Sequence, residues 1–259
     1  MNASPQSMAS CCASLYELPI VEQLLGGSFH PGGVALTRRL ASAALISPDS
    51  KVLDVACGSG SSARVIAAEF GASVIGCDFS AFSLERAKST APAEASSSSP
   101  TFVRAAAERL PFESGSFDVA ICECSLCLFE SKDLVLEQIR RVLRPGGRIG
   151  ISDFFLSRPA PENLTGLLSR VLCVGGAVSL ADYRQSLSEA GFEFVRIRVA
   201  NQALLDMSRR VRHKMRSLTA TGLAELPDAW GDPMSVLLDL EQFISSGGAG
   251  YMLAVGRRP

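Results

Sequence analysis

Short apolar runs alternate along most of this chain with stretches whose apolar residues recur every three or four positions. Val52, Leu53 and Val55 form one such run, Ala72–Cys77 a second, Thr101–Arg104 a short third, Phe117–Cys122 a stronger fourth and Arg148–Ser152 a fifth. Before and between them, Val34–Ile46, Ser61–Phe70, Phe79–Thr90 and Lys132–Leu143 carry the spacing of one helix face. Runs this short, bounded by turn residues, suit strands covered on both faces. The alternation predicts a doubly wound α/β fold with a mostly parallel sheet. Right-handed crossovers then bring the loops after the strands to one edge.

Either side of this region the pattern loosens. Leu15–Leu25 has helical spacing and stops at Gly26-Gly27, followed by the stiff turn Phe29–Gly33. After Asp153, helices are expected over Pro161–Leu172, Leu180–Ala190, Asn201–Thr221 and Ser235–Ser245, with strands at Phe192–Val199 and Tyr251–Val255. Residues 1–46 read as a leader and lid helices, and 47–259 as the main domain. That domain carries a cap at about 154–180 and a helical insertion at about 201–246. Ala91–Pro100 (APAEASSSSP) is a low-complexity connector.

With 259 residues, 47% of them hydrophobic, the chain can bury a full-sized core. A net charge of −1 gives no electrostatic case for nucleic acid. Every apolar run is interrupted too soon to span a membrane, and the first residues lack a secretory pattern. The expected partner is therefore a small-molecule substrate, in the reducing cytoplasm, and the eight cysteines read as free thiols. Nothing in the sequence assigns an oligomeric state.

Chemistry concentrates at Lys51–Gly60, KVLDVACGSG, where a strand runs into a glycine-rich turn that opens a helix. Gly58-Ser59-Gly60-Ser61-Ser62-Ala63 fits the dinucleotide fingerprint G-x-G-x-x-G/A. Asp54 argues against a dinucleotide, because its carboxylate would face a pyrophosphate of like charge. A cationic ligand reverses that sign, and S-adenosylmethionine carries a sulfonium, an ammonium and no phosphate. Asp78, at the end of the next apolar run, can accept both hydroxyls of a ribose. The competing reading, that Asp54 and Asp78 only cap helices, leaves the adjoining G-x-G unexplained.

These residues belong to an ordered set. Asp54-x-Ala56-x-Gly58-x-Gly60 is followed by Val74–Asp78, Glu108–Phe112, Phe117-Asp118-Val119 and Arg144-Pro145-Gly146-Gly147. Together they resemble the class I S-adenosylmethionine-dependent methyltransferases, nearest to the group of ubiquinone/menaquinone and arsenite methyltransferases. The resemblance covers roughly Val52–Phe155. It implies a seven-stranded sheet with the last strand antiparallel, closed by Phe192–Val199 and Tyr251–Val255. It also implies S-adenosylmethionine as cofactor, with Asp54 beside the methionyl ammonium and Gly58 and Gly60 under the cofactor. Asp78 would hold the ribose, Phe79, Ala107 and Glu108 would surround the adenine, and Glu123 and Cys124 would line the methyl-transfer side. His30 and Gly33 fall in a segment resembling the lid of some members. The chain departs from the pattern at Ala56, where the loop has its first glycine, and at Ala106, where an acidic residue is frequent.

The acceptor is less legible. No convincing base stands out; Glu123 is a candidate, although its family position suits pocket lining. In an extended chain Cys122 and Cys124 share a face. Cys122-x-Cys124-x-x-Cys127 lacks the paired spacing of zinc sites, so no metal centre is expected. The segment Cys173-x-Gly175-Gly176-Ala177 resembles the substrate region of arsenite methyltransferases, where a cysteine binds the metalloid. Candidate catalytic residues are thus Glu123, Cys124 and Cys173. Three functions follow: methyl transfer to a small molecule, methyl transfer to arsenite or a thiol through Cys124 and Cys173, and non-catalytic cofactor binding as an accessory protein. The basic stretch Arg209–Arg216 reads as a solvated helix face, with an anionic partner as the alternative.

Overall fold

The structure is a computed structural model that describes residues 18–26, 29–90, 99–164, 173–220 and 232–259. The leader with Cys11 and Cys12, the low-complexity connector, most of the expected Pro161–Leu172 helix and the loop holding Trp230 lie outside these residues.

The strands are β1 (Lys51–Val55), β2 (Ser73–Asp78), β3 (Thr101–Arg104), β4 (Phe117–Glu123), β5 (Leu143–Leu156), β6 (Glu193–Val199) and β7 (Ala249–Arg257). They form one seven-stranded sheet in the order β3-β2-β1-β4-β5-β7-β6. β1 pairs parallel with β2 and β4, whereas β7 runs antiparallel between β5 and β6. The expected sheet and its antiparallel closing strand are both present.

Helices α1 (Pro19–Leu25), α2 (Gly33–Ala43), α3 (Ser61–Phe70), α4 (Ala81–Ser89), α5 (Lys132–Val142), α6 (Leu180–Glu189), α7 (Asn201–Ala220) and α8 (Pro233–Ser245) surround it. One core lies under α2 and α3, where Leu36, Leu40, Ala63 and Ile66 meet Val52, Val74, Leu253 and Val255. A second lies under α5 and α6, where Val135, Leu136, Ile139 and Leu187 meet Leu53, Val55, Ile149 and Ile151. These are the two apolar faces that a parallel sheet must cover. A smaller third core joins α1 to the insertion helices through Val21, Leu24, Val211, Met215 and Leu237.

Several expected boundaries move for physical reasons. α2 stops at Ala43, because Leu45 turns the chain left-handed (φ 59°) before Ser47-Pro48. β5 begins at Leu143 rather than Arg148, since Leu143 already pairs with Phe117. The register shift between Phe117 and Val119 absorbs Arg144–Gly147 as a bend inside the strand, not a loop before it. α6 starts with a capping box, Ser179 and Asp182 each bonding the other's backbone N–H.

Candidate active site

Parallel pairing of β2, β1 and β4 sets Asp78, Asp54 and Glu123 side by side at the carboxyl edge of the sheet. Ligands of open α/β sheets dock at that edge. All three carboxylates line one cleft, with Ala56, Cys57, Gly58 and Ser59 of the glycine loop as its floor. Phe29 and His30 close it from the segment before α2, and Cys124, Ser125, Leu128 and Phe129 from the turn after β4.

The loop's conformation explains its composition. Ala56 is left-handed (φ 55°), as are Gly58 and Gly60 (φ 53° and 75°). A non-glycine residue in that region costs about 1–2 kcal/mol, so the glycine that the resemblance implies here would meet a real backbone demand. Gly58 faces open space, whereas a Cβ on Gly60 would lie 2.5 Å from the Phe102 ring. Gly58 thus lets a ligand approach, and Gly60 turns the chain into α3.

Asp54 is 2% exposed, and its Oδ2 has no hydrogen-bond partner. Burial pushes its carboxyl well above the usual range, Glu123 and Asp78 push it further, and the Ala63 N–H offsets this only in part. A buried carboxylate with an unpaired oxygen and two acidic neighbours calls for a cation. A pyrophosphate would add like charge to this cluster. Asp78 accepts the N–H groups of Gly58 and Ser80, both at 2.9 Å, which fixes the loop to the end of β2.

Glu123 is held by hydroxyls from three elements. Thr37 of α2 donates to its Oε2 at 2.9 Å, Ser62 of α3 to the same oxygen at 2.7 Å, and Ser152 of β5 to Oε1 at 3.1 Å. His30 Nε2 lies 3.2 Å from Thr37 Oγ1 and 3.7 Å from Glu123 Oε2. Ser152 gives its only proton to Glu123, so Tyr251, 3.0 Å away, donates to Ser152. Thr37, Ser62, Ser152 and Tyr251 are missing from the residues that sequence reasoning singles out.

A side recess next to Asp78 is bounded by Ala56, Phe79, Ala105, Ala106, Ala107, Glu108 and Phe129. Phe79, Ala107 and Glu108, expected around an adenine, therefore do share one space. Gly33 opens α2, with φ 48°, and is not among the residues lining the cleft.

Phe29 and Cys124 also border a second, small chamber of about 20 Å³. Its walls are apolar: Leu25, Pro31, Phe154, Leu204, Met207, Val211 and Leu240, with Ser208 and Cys173 as the polar exceptions. Here the expected face-sharing of Cys122 and Cys124 fails. β4 ends at Glu123 and Cys124 is left-handed (φ 53°), so the strand alternation stops one residue short. Cys122 instead sits in the core under α5, 3.2 Å from Ser125 Oγ. Cys124 meets Cys173, itself left-handed (φ 61°), with 3.5 Å between the sulfurs.

Beneath them, the fully buried Asp153 accepts the Cys127 N–H at 2.7 Å and the Phe154 N–H at 2.8 Å. Burial and the nearby Cys173 push its carboxyl up to about 7. The Cys173 contact and burial push the Cys124 thiol well up, and burial does the same to Cys127. Cys124 and Cys127 are therefore thiols, not thiolates, at neutral pH. Among the described residues no group of three or more His, Cys, Asp or Glu side chains could hold a metal ion. No described helix is long and apolar enough to cross a membrane.

Of the basic stretch on α7, Arg212 pairs with Glu241 of α8 at 2.9 Å, and Lys214 reaches the Gln23 carbonyl of α1. Part of that stretch therefore serves packing between helices.

Residues 53–151 match the family model described as a methyltransferase domain. The chain is 29% identical over 234 residues to methyltransferase GfsG of Streptomyces halstedii, covering 88% of this chain and 81% of that one. It is 34% identical over 190 residues to 27-O-demethylrifamycin SV methyltransferase of Amycolatopsis mediterranei, covering 67% of this chain and 70% of that protein. Among solved structures, the [4+2]-cyclase SpnF aligns over 100% of this chain and 98% of its own, with a TM-score of 0.82 at 21% identity. That likeness speaks for the fold alone, since one fold hosts many chemistries. The relatives and the ordered motifs agree: the chain belongs to the class I S-adenosylmethionine-dependent methyltransferases.

Proposed function

We propose that this protein methylates an oxygen of a largely apolar small molecule, with S-adenosylmethionine as donor. The observation that carries the reading is the unpaired Asp54 Oδ2 in an acidic cleft that shares Phe29 and Cys124 with a small apolar chamber. Asp54 would face the cofactor's ammonium, Asp78 its ribose, and Phe79, Ala107 and Glu108 its adenine. His30 sits where the segment before α2 closes the cleft. When bound, S-adenosylmethionine supplies an electrophilic methyl group.

The chain's own contribution is alignment and exclusion of water. Glu123 accepts three hydroxyl protons, so it orients α2, α3 and β5 around the cleft rather than serving as a free base. The chamber's described walls carry no carboxylate or imidazole. This favours acceptors that ionise readily by themselves, such as phenols and enols. The Amycolatopsis relative is named for methylating an O-demethyl substrate, which supports oxygen as the accepting atom. α1 and α2 act as the lid, and Phe154 and Cys173 face the chamber from the described ends of the expected cap.

Calorimetry with S-adenosylmethionine and with NAD tests the first step. Saturable binding of the former alone, lost in Asp78→Ala, is the expected result. No binding, or binding indifferent to that change, would sink the reading. Incubation with labelled methyl donor and small-molecule extract tests transfer, since an accessory binder labels nothing.

The 3.5 Å approach of Cys124 and Cys173 favours one second reading, arsenite or a thiol as acceptor. In that case Cys124→Ser/Cys173→Ser abolishes activity on arsenite and leaves cofactor affinity intact. Equal inactivity of wild type and variant on arsenite makes the pair core thiols.

A further inference from the structure

β6 is an edge strand, and its two faces are treated differently. Ile197 packs into the core beneath α6. Arg196 and Arg198, alternate residues on the opposite face, stand beside Val255 and Leu253 of β7. On that face, α2 runs past β7 and presents Arg38, Arg39, Ser42 and Ala43. Between helix and strand lies a groove of about 360 Å³, floored by Leu253, Val255 and Ala43 and flanked by the four arginines. Arg38 is engaged by Glu69, both of its contacts at 2.6 Å. Arg39, Arg196 and Arg198 have no acidic partner among the described residues and are exposed.

We infer that this groove binds a small phosphorylated ligand, a phosphomonoester or diphosphate, at a site separate from the methyl-transfer cleft. Three guanidinium groups from two elements line one groove with no carboxylate among them, and their planar forks match phosphate oxygens in pairs. The volume falls in the range of small-molecule sites. The apolar floor suits the carbon portion of such a ligand. Lone charges on an edge strand can guard against strand pairing, but that purpose requires neither an arginine from α2 nor an apolar floor. Nucleic acid fits poorly, because the chain as a whole carries 25 basic and 26 acidic residues, and the basic feature is a pocket. The separation from the cleft follows from helix geometry. Thr37 points to Glu123, and Arg38, Arg39, Ser42 and Ala43 lie about 100–240° around α2 from it, on the far side.

Titration of the full chain with inorganic pyrophosphate, with sulfate as an anion control, tests the inference. One saturable equivalent is expected, bound at least roughly tenfold more tightly than sulfate and weakening as salt is raised. Arg196→Glu/Arg198→Glu is expected to weaken it by roughly tenfold or more. Arg39→Glu, on a different element, is expected to do the same, so misfolding of one variant leaves the test intact. S-adenosylmethionine binding reports on folding of each variant and is expected to be unchanged. Glycerol phosphate, phosphatidylglycerol vesicles and a single-stranded oligonucleotide complete the panel. The inference is overturned if pyrophosphate fails to saturate or binds no better than sulfate. It is equally overturned if folded variants bind as wild type does, or if only vesicles or the oligonucleotide bind.

Discussion

Thr37 Oγ1 donates to Glu123 Oε2 at 2.9 Å, and this one contact ties the helix before the catalytic sheet to the end of its fourth strand. Both residues are buried, and Ser62 and Ser152 complete the carboxylate's shell. A hydrogen bond to a charged acceptor contributes about 1.5–3 kcal/mol. Thr37→Val should therefore destabilise the protein by about that amount in chemical denaturation, whereas Thr37→Ser should stay near wild type. Loss of the tie should also weaken S-adenosylmethionine binding in Thr37→Val. Unchanged stability and affinity would make the contact incidental.

Asp54 carries the opposite balance, since it is costly until a cation arrives. Its folded carboxyl titrates above the unfolded one, so its favourable contribution is complete below the unfolded value and is lost as pH rises through the folded value. At pH 7–8, Asp54→Asn should raise the melting temperature of the ligand-free protein. The same change should cut affinity for S-adenosylmethionine roughly ten- to hundredfold, the worth of about 1.5–3 kcal/mol from a charged hydrogen bond. Isothermal titration in buffers of different ionisation enthalpy adds a sign: a cation beside Asp54 favours its ionised form, so any proton released on binding should be smaller in the variant. A variant that is both less stable and equally tight would contradict the assignment.

Asp153 offers a stability profile that can be read against pH. Its carboxyl moves from 3.8 to about 7 on folding. Its contribution is complete below pH 3.8 and falls away as pH rises to about 7. Within that window a single proton changes stability by about 1.4 kcal/mol per pH unit. Denaturation at half-unit steps from pH 4 to 8 should show wild type losing this slope's worth of stability relative to Asp153→Asn. Slope is the readout, because the amide disturbs the bonds from Cys127 and Phe154 at every pH. Parallel profiles would place the titrating group elsewhere.

How far the site could be read from the chain depends on the reach of each signal. Asp54 and Asp78 were legible because each ends an apolar run and one precedes a G-x-G turn, so strand, charge and turn lie within a few residues. The parallel sheet followed from the same local alternation. The shell of Glu123 was not legible: its donors lie 86, 61 and 29 residues away in sequence. A serine or threonine inside a helix or strand carries no local mark of what it will meet. The shared face of Cys122 and Cys124 failed for a different reason. A period of two predicts facing residues only while the chain stays extended, and a single left-handed residue redirected the thiol toward Cys173. Neither Arg196 nor Arg39 announces a groove, because their shared lining depends on how α2 packs beside β7.

Gly60 and Gly58 separate the loop's structural demand from its ligand demand. At Gly60 a methyl group meets both a left-handed backbone and the Phe102 ring at 2.5 Å. Strain of about 1–2 kcal/mol adds to overpacking of about 1–3 kcal/mol, so Gly60→Ala should lose about 2–5 kcal/mol of stability. Shortening the obstacle in Gly60→Ala/Phe102→Leu should restore part of the overpacking share and none of the backbone share. Gly58 is left-handed too, but nothing lies within 4 Å of its added Cβ. Gly58→Ala should therefore cost only the backbone strain, while its methyl projects into the open space left for the cofactor and weakens S-adenosylmethionine binding. Denaturation and titration of the three variants separate these effects. Equal stability losses at Gly58 and Gly60, with equal cofactor affinity, would show that the loop's openness serves the fold and not the ligand.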